Sequence, residues 1–99
     1  LGYLNDSEYA NRFAENAMLS GKGSLYIRQK LALSGIGSED YPEFNSEDEF
    51  ERALEIAKGI YKGSDDRAEK EKQLARVGRR LAAQGYTSQV VYKVLAKLR

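Results

Sequence analysis

Lys72, Arg76, Arg79 and Arg80 fall within nine residues of one another, and on a helix they share the side turned away from Leu74, Val77 and Leu81. Such a row can meet phosphates or carboxylates, and the arginine forks bind either group through two parallel hydrogen bonds. Arg28 and Lys30 stand on an earlier helical segment and extend the same candidate surface. The remaining chemistry is narrow. The 99 residues include no histidine and no cysteine, which removes the commonest general base, thiolate metal sites and disulfides. Gly21-Lys22-Gly23 lacks the Walker spacing and the hydroxyl residue after its lysine, so it does not read as a phosphate loop. Glu39, Asp40, Glu43, Glu47, Asp48 and Glu49 lack the spacing and central glycine of a calcium loop. The last three of these suit the positive end of a helix. These residues predict a binding protein rather than an enzyme, with no cofactor and no metal.

The net charge of +1 hides a division. Residues 1–50 carry 4 basic and 9 acidic side chains, whereas residues 51–99 carry 12 basic and 6 acidic ones. An acidic half joined to a basic half suits a charged partner. No apolar run approaches the roughly 18 residues that span a bilayer, which predicts a soluble, cytoplasmic chain with no membrane contact.

The elements that must position the basic residues are helices, because no segment alternates with period two. Leu31-Ala32-Leu33-Ser34-Gly35-Ile36 recurs as Leu81-Ala82-Ala83-Gln84-Gly85-Tyr86. In each copy the glycine can take the left-handed conformation that closes a last turn, with the next apolar residue folding back. The phrase predicts a helical repeat. Leu1-Gly2-Tyr3 has the same grammar without a helix before it, which predicts a further module upstream. Asn5 reads as an N-cap with Glu8 as its capping-box acid and Leu4 stapled to Tyr9. The helix that follows, to about Leu19, should bury Tyr9, Ala10, Phe13, Ala14, Ala17 and Met18. Ser24 reads as the cap of a second helix ending at Gly35. Gly37 to Asn45, with Pro42, allows a turn or two of helix at most. Ser46 to Glu49 reads as another capping box, opening a helix that buries Phe50, Ala53, Leu54, Ala57, Ile60 and Tyr61. Asp65-Asp66 caps a long helix to about Gln84, and Thr87 caps a last one packing through Val91, Val94, Leu95 and Leu98. Gly78, on the apolar side of the long helix, predicts close approach of another helix. Tyr9, Tyr61 and Tyr86 fall at buried positions. The expected fold is all-α, with tandem three-helix repeats in two modules, 1–45 and 46–99, the third helix of the first being short or broken.

Gly2-Tyr3-Leu4-Asn5-Asp6, Tyr9-Ala10, Phe13, Gly23, Ile27, Leu31 and Gly35-Ile36 together resemble the central repeat of the RecX family, bacterial regulators of the recombinase RecA. Leu74, Leu81, Gly85-Tyr86 and Val94-Leu95 resemble its last repeat. Two departures stand out: Gly37 to Asn45 is too short for a full third helix, and Ala83-Gln84 stands where the family often has arginine. The resemblance implies an array of three-helix modules, in members usually about one module longer. It also implies a non-enzymatic protein, active in DNA repair, recombination and the SOS response, that lies along the RecA filament and depresses its ATP hydrolysis. The implied partner is the RecA filament, with DNA contacted indirectly or weakly, and the chain itself is expected to be a monomer. The competing reading is a small helical DNA-binding module that works without RecA.

Overall fold

A computed structural model describes residues 6–99, and among them every regular element is helical. The helices are α1 (Asp6–Leu19), α2 (Ser24–Leu33), α3 (Ser46–Ile60), α4 (Arg67–Ala83) and α5 (Ser88–Leu98), with one 3-10 turn, Ser38–Asp40, between α2 and α3. Asn5, Leu4 and the Leu1-Gly2-Tyr3 phrase lie outside the described residues.

Both copies of the repeated phrase end their helices in the same way. Gly35 has φ +80° and Gly85 φ +92°. The Ile36 N–H reaches back to the Leu31 carbonyl, and the Tyr86 N–H reaches back to that of Leu81, each at 3.1 Å. These are the six-to-one bonds of a glycine-terminated helix, which satisfy carbonyls that the last turn leaves open.

Two apolar clusters form around these stops. One gathers Ala10, Ala14, Ala17, Ile27, Leu31 and Ile36 between α1 and α2, with Phe13, Met18, Tyr41 and Phe44 at its margin. The other joins Ala53 and Ala57 of α3, Val77 and Leu81 of α4, and Tyr86, Val90 and Val94, the last two on α5. Alanines on α1 and α3 let the neighbouring helices approach closely. The 3-10 turn takes the place of a third helix beside α1 and α2, and the Ser7 hydroxyl donates to Asp40 across it at 2.8 Å.

Several local expectations are corrected. Tyr9 is 51% exposed. It lies about 100° around α1 from Ala10, and with only α2 and a short turn to pack on, the buried stripe narrows to the alanines. Its ring stacks on Phe13 instead, with centroids 6.5 Å apart. Ser24 is not the cap of α2: Gly23 is, without a side-chain bond. Asn45 rather than Ser46 caps α3, its Oδ1 accepting from the N–H groups of Glu47 (2.9 Å) and Asp48 (3.2 Å). Asp66 and Thr87 do cap α4 and α5. Gly78 faces α5, yet a methyl group there would sit 3.8 Å from Leu95 and 3.9 Å from Val91, an ordinary contact. Gln73 is buried because its Oε1 accepts from the N–H groups of Lys62 and Gly63, closing the α3–α4 turn.

Candidate partner-binding surface

The two clusters meet end to end. The stop at Gly85 leaves the Gln84 and Gly85 carbonyls pointing outward, and the N-terminus of α2 supplies their donors. The Gly23 N–H donates to Gln84 at 2.8 Å and the Leu25 N–H to Gly85 at 2.9 Å. Between them, the Ser24 N–H donates to the Glu49 carboxylate of α3 at 2.8 Å. An open helix N-terminus thus finds its acceptors in the other half of the molecule, which explains why no side chain of its own caps it. The contact also sets the negative end of α4 against the positive end of α2, a favourable pairing of helix dipoles.

Glycine is required at this joint by distance. A Cβ on Gly23 would lie 2.5 Å from the Gly85 oxygen, and one on Gly85 would run into Tyr26. The Tyr86 hydroxyl crosses the joint as well, donating to the Gly21 carbonyl at 2.9 Å. Burial pushes this phenol above its ordinary pKa, while the Arg52 guanidinium beside it pulls the other way.

The candidate basic residues stand on α4 and α2, the two helices whose ends meet at this joint. Lys72, Arg76, Arg79 and Arg80 are exposed on α4, while Leu74, Val77 and Leu81 are buried on its other side. Lys30 and Arg28 are exposed too, but α2 does not bring them together. Two residues apart on a helix, they point to nearly opposite sides. The Lys30 ammonium lies 5.6 Å from the centre of the Tyr26 ring, and the Arg28 guanidinium lies 4.9 Å from that of Phe44, against the irregular segment. Lys22, read above only as part of a helix break, has its ammonium 2.9 Å from the Gln84 Oε1 and 5.0 Å from the centre of the Tyr26 ring. No local signal marks this role, because Ser24 offers a cap of its own and the Gln84 side chain that meets Lys22 stands 62 residues away.

Among the described residues no cluster of acidic side chains is placed to hold a metal ion, and no helix is long and apolar enough to cross a membrane. What this surface presents is exposed cations, which can meet phosphates or carboxylates.

The chain is 32% identical over 102 residues to Regulatory protein RecX of Trichlorobacter lovleyi, an alignment covering 97% of the chain. The chain belongs to the RecX family. It spans 66% of that relative's length. The relative bears the name of a regulatory protein rather than of an enzyme. No family model matches the chain, and no solved structure matches it.

Proposed function

We propose that the chain is a regulatory binding protein that inhibits RecA by lying on the RecA–DNA filament, as a cytoplasmic monomer acting in recombination and the SOS response. Its contact surface is the basic row Lys72, Arg76, Arg79 and Arg80, with Lys30 continuing it and Arg28, turned onto Phe44, left outside it. The observation that carries this reading is the similarity to a regulatory protein RecX along 97% of the chain. Shape supports it. The molecule measures 58 × 20 × 19 Å, a rod whose side can follow an extended partner through many shallow contacts. Exposed cations on such a rod steer it towards an anionic filament and fix its register.

The test is RecA-dependent ATP hydrolysis on single-stranded DNA, measured while the chain is titrated in. The rate falls with added chain, and the inhibition weakens as salt rises. A rate unaffected by a large excess of folded chain overturns the proposal.

A further inference from the structure

The basic row of α4 and the Lys30 side of α2 are one feature. Gln84 continues the line of Lys72, Arg76 and Arg80 by one more turn, since residues four apart lie above one another on a helix. It then hands the line across the joint, because its Oε1 holds the Lys22 ammonium at 2.9 Å. From Lys22 the line passes over the Tyr26 ring to Lys30. Gly23 and Gly85 hold the two helix ends in register beneath it.

Neither Asn16 to Ser38 nor Lys72 to Arg99, the two stretches that the joint brings together, contains an acidic residue; Glu69 and Glu71 stand on α4 just before the line begins. Glu49, whose carboxylate enters the joint from α3, is only 4% exposed and is turned onto the Ser24 N–H.

We infer that Lys72, Arg76, Arg80, Lys22 and Lys30, with Tyr26 between the last two, form a continuous track for the phosphodiester backbone of a nucleic-acid strand. This rests on the basic face being the contact surface proposed above, and it names what that face touches: phosphates, not the carboxylates of a protein. Surfaces that bind nucleic acid are far more positive than those that bind protein, whose centres are depleted in lysine and rich in aromatic and apolar anchors. Here Lys72, Arg76, Arg80 and Lys30 are exposed cations, Lys22 is partly exposed, and the aromatic beside them, Tyr26, is half-buried with the Lys22 and Lys30 ammonium groups 5.0 and 5.6 Å from its ring centre. Repetition along α4 fits a linear ligand, since Lys72 to Gln84 covers about 18 Å of helix.

Fluorescence anisotropy of a labelled oligothymidylate across a salt series tests the track. The parent binds at low salt, with log K falling linearly against log salt. Each phosphate contact removed lowers that slope by about 0.7 for a single strand. The Lys22→Ala/Lys30→Ala variant therefore loses about 1.4 of slope, and Arg76→Ala/Arg80→Ala on α4 loses a similar amount. Lys22→Arg/Lys30→Arg keeps the parent slope, and circular dichroism melts confirm that each variant is folded. Because Arg76→Ala/Arg80→Ala does not touch the Lys22–Gln84 bond, disturbance of the joint cannot account for its loss. No binding by the parent at low salt, or an unchanged slope in either alanine pair, overturns the track. If the pairs keep their slope yet lose inhibition of RecA, the line meets protein carboxylates; the track is then wrong and the proposed function stands. If the slopes fall as stated while the parent fails to inhibit RecA, the track stands and the proposed function is wrong.

Discussion

Gly23 and Gly35 both stand beside a helix end, but they are glycine for different reasons. Gly35 has φ +80° and open space around it, so its requirement is conformational. Asparagine tolerates that region, and Gly35→Asn should cost under about 1 kcal/mol. Gly23 has an ordinary φ of −95°, and its requirement is steric, with the Gly85 carbonyl where a methyl would go. Gly23→Ala should therefore cost about 1–3 kcal/mol, as other forced insertions into packed sites do. Thermal melts separate the two, and a Gly23→Ala variant as stable as its parent would refute the packing described at the joint. Gly78→Ala should go the other way, gaining up to about 1 kcal/mol, because α5 leaves room for the methyl and alanine is the better helix former. The positions Gly35 and Gly85 were legible in the sequence because a helix stop is a local event within six residues. The role of Gly23 was not, because the carbonyls that define it belong to the far end of the chain.

Among α2 to α5, α2 is the one whose start is completed from outside. Glu49 reads in sequence as the acid of a capping box on α3, since glutamate three residues after serine has that form. Asn45 already serves the first turn of α3, which leaves the Glu49 carboxylate to reach the Ser24 N–H. Glu49→Ala should leave that buried donor unsatisfied, at a cost of about 1–3 kcal/mol. Hydrogen exchange at Ser24 and Leu25 should quicken more than at the first turn of α3; equal change at both would restore the local capping reading. Tyr86 gives the joint a pH dependence. Its pKa is raised in the folded chain, so the stability it contributes is complete below the ordinary tyrosine value of 10.0 and is lost as pH rises through the folded value. Tyr86→Phe should melt at a lower temperature at neutral pH and lose less stability than the parent between neutral and strongly alkaline pH. Parallel pH curves for the two proteins would rule out that contribution. Helix identity and most buried positions follow from periodicity, whereas Tyr9 was misplaced because periodicity gives the centre of a stripe but not its width.

At the scale of the whole molecule, the joint turns two small helical clusters into a rod 58 Å long that carries the basic row of α4. The all-helical class and the six candidate cations are plain from residue spacing, and the exposure of all six follows from the burial of Leu74, Val77, Leu81, Ile27 and Leu31 behind them. What spacing alone does not give is that Lys22 and Gln84 link Lys30 to the α4 row while Arg28 is turned aside onto Phe44. The central claim, that this row is where the chain meets the RecA filament, is most directly tested by reversing its charge. Arg76, Arg79 and Arg80 are exposed, and such substitutions usually cost within about 0.5 kcal/mol each, so the Arg76→Glu/Arg79→Glu/Arg80→Glu variant should remain folded. In RecA-dependent ATP hydrolysis on single-stranded DNA, the parent should inhibit and the folded triple variant should not. A folded triple variant that inhibits as strongly as the parent would contradict that claim.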